Sequence, residues 1–99
     1  MKDHGLKDFQ TLTRLVYSES DRQISKWGIQ NRSPFEWLAH TTEELGELAR
    51  AISENYYRGA PPGEVVKEAI QTATLVLKIA EMFLHEVEEN KEGKTNGIK

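Results

Sequence analysis

The chain contains no cysteine. This absence excludes disulfide bonds and metal sites built on thiolates, and it is consistent with a reducing compartment. Long apolar runs are also missing: no stretch approaches the length needed to cross a membrane, and the opening segment MKDHGLKDFQ lacks the apolar centre of a signal peptide. We therefore expect a soluble, cytoplasmic protein with no membrane partner.

An excess of positive charge is missing as well. Lys and Arg number 13 against 16 Asp and Glu, so the formal net charge is −3. This balance does not favour binding to a nucleic-acid polymer. The chain has 99 residues, 37% of them hydrophobic. A chain of this length buries only a modest core, so association with a second copy is a natural expectation.

Helical periodicity is the dominant pattern, and no strand-like alternation of any length is present. The apolar spacing predicts a first amphipathic helix from about Leu6 to about Ser20, followed by an irregular connection over DRQISKWGIQNR. A second helix is expected to start at SPFE, which supplies an N-cap serine, a first-turn proline and a capping-box glutamate, and to end near Arg58.

A third helix is predicted to start near Glu64 and to be apolar nearly all round between Leu75 and Leu84. Its second apolar face carries Leu75, Ile79 and Met82. A helix that is apolar on both faces is buried on both. Three helices of one short chain cannot surround it, so we expect a partner subunit to cover it.

These elements predict an all-α fold in which an antiparallel helical hairpin and an N-terminal helix complete a helical bundle by oligomerisation. Residues 1–90 are expected to form the domain. The polar, glycine-bearing residues 91–99 are expected to be a disordered tail.

The stretch HTTEELGELARAI places three glutamates within five positions of the second helix. A surface glutamate on a helix is usually paired with Lys or Arg three or four positions away. At those offsets the only formally charged neighbour of Glu44, and likewise of Glu68, is another glutamate, whereas Glu47 has Arg50 as a possible partner. Surface ion pairing therefore explains one of these carboxylates at most.

Helix geometry brings these carboxylates together. Positions 44 and 47 lie about 60° apart around a helix, beside its packing stripe, and Glu68 can face them across an antiparallel hairpin. Three carboxylates that converge at the edge of a core repel one another strongly unless a cation lies among them. Oxygen ligands without a thiolate or an imidazole pair indicate a hard ion, Mg²⁺ or Mn²⁺.

EELGE at 43–47, followed after 20 intervening residues by EAIQ at 68–71, resembles the EExxE…ExxD signature of the MazG-like nucleoside triphosphate pyrophosphohydrolases. The resemblance extends upstream to KWGIQ and downstream to EVVKEAIQTATLVLKIA, and so covers roughly residues 23 to 80. This family is all-α and oligomeric, and it cleaves (d)NTPs between the α- and β-phosphates to give a monophosphate and pyrophosphate.

The resemblance implies that Glu44, Glu47 and Glu68 are Mg²⁺ ligands, with Glu43 supporting them or orienting the attacking water. Gln71 stands where the family has its fourth acid. An amide oxygen can coordinate Mg²⁺, but it brings no charge and cannot act as a general base. Gln71 is therefore expected to be a weaker ligand than the acid it replaces.

Six further residues are candidates for contacts with a nucleotide. Aromatic rings can stack on a base and cations can neutralise phosphates. The candidates for stacking are Trp27, Trp37 and His40, and those for phosphate binding are Lys26, Arg32 and Lys78. Packing within the second helix is the alternative role for Trp37, and both roles are open for Trp27.

Two functions are consistent with these residues. The first is a Mg²⁺-dependent nucleotide pyrophosphohydrolase that acts on nucleoside triphosphates as a homodimer or homotetramer. The second is a non-catalytic MazG-like helical oligomer that binds nucleotide or serves as an interaction module. Gln71 favours the second function, whereas Glu44, Glu47 and Glu68 favour the first.

Overall fold

The computed structural model of the protein describes residues 5–93, and the side chains of residues 5–88. It contains three helices, α1 (Leu6–Trp27), α2 (Pro34–Arg58) and α3 (Gly63–Gly93). No strand occurs within residues 5–93. The all-α prediction is therefore confirmed.

The boundaries of α2 follow from local chemistry. The Ser33 hydroxyl accepts a hydrogen bond from the Glu36 backbone N–H at 3.1 Å, and the Glu36 carboxylate accepts one from the Ser33 N–H at 2.8 Å. This reciprocal capping box satisfies two backbone donors that have no partner in the first turn. At the other end Gly59 adopts the left-handed conformation with φ of 72°, and α2 stops there as predicted.

Helix α1 is longer than the sequence pattern predicts. The prediction of an irregular connection from position 21 onward is wrong for residues 21–27, which are helical. The helix ends only at Gly28, whose φ of 77° turns the chain and whose N–H donates to the Ile24 carbonyl at 2.7 Å. The connection to α2 is therefore confined to residues 28–33.

Helix α3 is the central element. It packs against α2 in the antiparallel hairpin predicted from the turn between them, and also against α1. Within the described residues α1 and α2 do not pack against each other, which leaves a groove between them above α3. Helix α3 runs to Gly93, three residues past the predicted domain boundary. The rest of the predicted tail, 94–99, lies outside the described residues.

The core of the single chain is small. Among the described side chains only Leu75, Thr41, Thr72 and Thr74 are buried, and Thr74 is 2% exposed. The three threonine hydroxyls donate to the carbonyl four residues earlier in their own helices, at 2.7 to 2.8 Å. Burial of these hydroxyls therefore leaves no donor without a partner.

Apolar side chains lie exposed along all three helices. On α3 the exposed set is Val66, Val76, Leu77, Phe83, Leu84 and Val87. The sequence pattern predicted that α3 is buried on both faces. Within the single chain Leu75, on the second apolar face, is buried, and Ile79 and Met82 are half-buried. Across the described residues, no helix is both long and apolar enough to span a membrane.

Candidate functional site

The α2–α3 hairpin brings Glu44 and Glu68 together, one from each helix. One oxygen of each carboxylate lies within 3.2 Å of the same end of the Gln71 side-chain amide. Neither residue has an ion-pair partner within the part of the chain that the structure describes. Two like charges are thus held together at the helix interface, which is the convergence that the sequence pattern predicts for this pair.

The pKa of Glu44 is raised above its ordinary value of 4.5. Partial burial is the largest cause, followed by the hydrogen bond with Glu68 and by repulsion from Glu68, Glu47 and Glu43. Because folding raises this pKa, the contribution of Glu44 to stability is fully present below pH 4.5 and is lost as pH rises through the raised pKa. At higher pH the pair therefore opposes folding unless a positive charge compensates.

The side-chain amide of Gln71 lies against both carboxylates. One end of the amide is 3.1 Å from Glu44 Oε1 and 3.2 Å from Glu68 Oε1, and hydrogen bonding assigns Nε2 to this end. The opposite orientation of the amide would set its oxygen against two acceptors, so the hydrogen-bonding partners assign the nitrogen to this side. Gln71 therefore donates one hydrogen bond to each of the two glutamates.

The other two glutamates of the motif have different partners. The Glu47 carboxylate lies 3.8 Å from an Arg50 guanidinium nitrogen and is about half exposed, as the spacing of these two residues predicts. Glu43 is 78% exposed and lies 3.7 Å from His40 Nδ1. No three or more His, Cys, Asp or Glu side chains of the described residues form a group that could hold a metal ion. The structure thus brings together Glu44, Glu68 and Gln71.

A groove of about 930 Å³ opens beside this cluster. Helices α1 and α2 form its walls, α3 forms its floor, and the connection 28–33 contributes to one end. Seven of the eleven candidate site residues line it: Trp27, Arg32, Trp37, His40, Glu44, Gln71 and Lys78. The other four, Lys26, Glu43, Glu47 and Glu68, do not. The groove is large enough for a ligand the size of a nucleotide.

Both tryptophans of the groove carry a cation over the ring. The Lys26 ammonium lies 4.9 Å and the Arg22 guanidinium 5.7 Å from the centre of the Trp27 ring. The Arg32 guanidinium lies 5.6 Å from the centre of the Trp37 ring. Trp27 is 55% exposed and Trp37 is half-buried, so neither ring is enclosed by packing. The groove thus combines flat aromatic surface with positive charge.

Lys78 lies on the floor of the groove. Its ammonium group donates to the Ser20 hydroxyl of α1 at 2.8 Å, which links α3 to α1. Lys78 therefore has a structural contact in addition to its place in the groove. This contact explains how a lysine is accommodated in an otherwise apolar stretch of α3.

Sequence reasoning missed a polar network on the α1 wall. Arg22 donates to both oxygens of Glu19, at 3.1 and 2.8 Å, and Gln23 donates to Glu19 Oε2 at 2.7 Å. These hydrogen bonds lower the pKa of Glu19, with the Arg22 bond as the largest cause. The signal was present as spacings of three and four residues, but it becomes readable only when DRQISKW is taken as helix.

The chain is similar to a curated bacterial protein. It is 37% identical over 71 residues to the uncharacterized protein YpjD of Bacillus subtilis (strain 168), an alignment that covers 72% of this chain and 52% of the relative. The chain therefore spans about half the length of the curated relative that it matches. No protein-family model and no solved structure matches the chain.

Proposed function

We propose that this chain is a Mg²⁺-dependent nucleoside triphosphate pyrophosphohydrolase, which converts a (d)NTP and water into a (d)NMP and pyrophosphate. The observation that carries the proposal is the contact between Glu44 and Glu68. Two carboxyl groups from different helices lie side by side without an ion-pair partner among the described residues, and the pKa of Glu44 is raised. A divalent cation would remove this repulsion.

The donor set suits a hard cation. Glu44 and Glu68 each supply an anionic oxygen, and Gln71 has an amide oxygen that can replace its nitrogen by rotation. Mg²⁺ is held by one or two carboxylates and keeps further positions for water and substrate phosphates, so two carboxylates and one amide suffice. When bound there, Mg²⁺ supplies charge compensation for the phosphates and polarises an attacking water. Mn²⁺ has the same oxygen preference.

The groove supplies the contacts for the rest of the nucleotide. The base stacks on Trp27 or Trp37, and Arg32 and Lys78 pair with phosphate oxygens. Lys26 keeps positive charge beside Trp27 at the same end. These residues hold the triphosphate so that its α-phosphate is presented to Glu44 and Glu68.

Glu43 and Glu47 complete the site, Glu43 at the water that attacks the α-phosphate and Glu47 at the cation. Glu43 is exposed and lies within 3.7 Å of His40 Nδ1, so it can accept a hydrogen bond from water and orient it. We assign Glu47, which lies one turn from Glu44 on α2, to the same ion. This assignment requires the Glu47 carboxylate to exchange its ion pair with Arg50 for the cation. The 3.8 Å separation from Arg50 in an exposed pair makes this exchange inexpensive.

We further propose that the active form is a homodimer or homotetramer in the cytoplasm. The exposed apolar residues on all three helices support association, because a soluble monomer rarely leaves so many of them in water. The absence of cysteine suits a reducing compartment.

The direct test is a screen of ribo- and deoxyribonucleoside triphosphates with Mg²⁺ or Mn²⁺, in which released pyrophosphate is measured. We expect the wild type to release pyrophosphate and Glu44→Gln or Glu68→Gln to lower the rate by about 100-fold or more, as loss of a charged group at a site of phosphoryl chemistry does. Glu54→Gln, which makes the same charge change about one turn before the end of α2, is the matched control. Orthophosphate in place of pyrophosphate would contradict the proposal.

Gln71 supports a second candidate function, that of a non-catalytic nucleotide-binding oligomer or interaction module. It replaces the acid that the resembled family has at this position. The variant Gln71→Asp separates the two candidates. If the wild type is active and Gln71→Asp is equally or more active, the enzyme is supported. If the wild type is inert and Gln71→Asp is active, the result supports a chain that only binds nucleotide. We expect the first result.

A further inference from the structure

We infer that the Gln71 side-chain amide is a two-position ligand: its N–H groups hold Glu44 and Glu68 together when no divalent cation is bound, and its carbonyl oxygen turns toward the cation when one is. The inference rests on the proposed function, because it concerns the same metal site. It differs from that proposal in assigning to one residue of this chain a role that an acid at this position cannot have.

The first position follows from the hydrogen bonds. The end of the Gln71 amide that hydrogen bonding assigns to nitrogen lies 3.1 Å from Glu44 Oε1 and 3.2 Å from Glu68 Oε1, and a primary amide has two N–H donors, one for each. Hydrogen bonds to charged acceptors are stronger than those between neutral groups. Gln71 is thus the group that lets two glutamates without an ion-pair partner among the described residues stay in contact.

The second position needs only a rotation of the amide. The oxygen and nitrogen of a carboxamide are nearly the same size, so a half-turn about the last side-chain bond exchanges them without moving the helix. After this rotation the Gln71 oxygen lies 3.1 Å from the Glu44 carboxylate oxygen and 3.2 Å from that of Glu68, so three oxygens converge. Neighbouring ligands of an octahedral Mg²⁺ lie about 2.9 Å apart, since each is about 2.0–2.1 Å from the ion. A contraction of a few tenths of an ångström closes the difference.

An acid at position 71 cannot take the first position. A carboxylate has no donor at neutral pH, and a third negative charge beside Glu44 and Glu68 adds repulsion. Glutamine at position 71 therefore stabilises the folded hairpin when the cation is absent, whereas an acid at this position would strengthen binding of the cation. This chain has the residue that stabilises the site before the ion arrives.

The two positions are distinguishable by NMR of the side-chain amides in the full chain. The Gln71 NH₂ signals are identified by their loss in Gln71→Met and are followed during titration with Mg²⁺ alone, against NaCl of equal ionic strength. We expect these signals to shift on saturation by Mg²⁺, because their hydrogen bonds to the two carboxylates are lost. The Gln23 amide, which donates to Glu19 at 2.7 Å on the opposite wall, is the internal control and should not move.

Calorimetry on the same sample separates failure of the inference from failure of the proposed function. Bound Mg²⁺ with unmoved Gln71 signals overturns the inference and leaves the metal site standing. Absence of Mg²⁺ binding overturns both.

Thermal melting in a chelator tests the first position without metal. Gln71→Met has the length of glutamine but no donor, and it should melt several degrees below the wild type; Gln71→Asp should melt lower still. Equal melting temperatures for all three proteins would overturn the inference. If either variant fails to fold, the wild-type NMR titration still decides.

Discussion

At the residue level, the candidate site is defined by two neighbouring carboxyl groups. Their repulsion lowers the stability of the folded chain, so stability alone does not explain their positions. Glu44 and Glu68 lie close together, and the pKa of Glu44 is raised by burial and by its acidic neighbours. A glutamine lies between them where a lysine or arginine would neutralise them. We propose that a divalent cation compensates this charge.

Glu44→Gln and Glu68→Gln should each leave the metal-free fold intact or make it more stable, because each removes one of two repelling charges. We expect a gain of up to about 1 kcal/mol in the free energy of unfolding, measured by urea denaturation in a chelator at neutral pH. Glu54→Gln is the control on the same helix. A loss of several kcal/mol in either variant would mean that these residues are structural.

Glu19 should show the opposite dependence on pH. Its pKa is lowered by Arg22 and Gln23, so its contribution to stability is present above its ordinary value of 4.5 and is lost as pH falls through the lowered pKa. Wild-type stability should therefore fall more steeply than that of Glu19→Gln as pH decreases below 4.5. Chemical denaturation at a series of pH values measures the two slopes. Parallel curves would show that the Glu19 network does not contribute.

At the level of the helices, some helix ends are predictable from the sequence and others are not. The start of α2 is predictable because Ser33 and Glu36 satisfy each other's backbone groups without help from the rest of the chain. The end of α1 is not predictable in this way, because the apolar periodicity of residues 21–27 is weak. In the structure this helix also has the Glu19 network and the Lys78–Ser20 hydrogen bond.

Two glycines should respond in opposite directions to the same substitution. Gly28→Ala should destabilise the chain by about 1 kcal/mol, because φ at this position is 77° and a Cβ is strained there. Gly46→Ala should stabilise it by a similar amount, about 1 kcal/mol, since Gly46 is inside α2 and a Cβ there would meet no atom of the chain within 4 Å. Thermal melting at fixed protein concentration compares them. Stabilisation by Gly28→Ala would contradict the assignment of the α1 end.

The pairing of α2 with α3 was also predictable, and with it the contact between Glu44 and Glu68. A short turn between two amphipathic helices leaves the antiparallel hairpin as the simple solution. Which face of α3 the hairpin covers was not predictable, because both faces are apolar. The chain's own helices bury Leu75 and leave Phe83 and Leu84 exposed.

At the scale of the whole molecule, the single chain is elongated and poorly covered. Its extents are 54 × 31 × 25 Å, and Leu75 is the one apolar side chain that is buried among those described. A core of this size contributes little to offset the conformational entropy of folding. We propose that copies of the chain associate through the exposed apolar residues.

The protein should therefore sediment as a dimer or a larger oligomer at micromolar concentration. Phe83→Lys places a charge among exposed apolar residues of α3 and should shift the distribution toward smaller species, whereas Glu86→Lys, on the same helix, should not. Sedimentation velocity over a range of concentrations measures both. A stable, well-folded wild-type monomer would show that the exposed apolar residues need no partner.

Calorimetric titration of Mg²⁺ and Mn²⁺ into the chelator-stripped chain shows whether the α2–α3 hairpin binds a divalent cation between Glu44 and Glu68. We expect one ion per chain for the wild type. We expect a loss of at least roughly tenfold in affinity for Glu44→Gln, Glu47→Gln and Glu68→Gln, tighter binding for Gln71→Asp, and no change for Glu54→Gln. Absence of binding in both the wild type and Gln71→Asp, or equal binding in all the variants, would contradict this cation site.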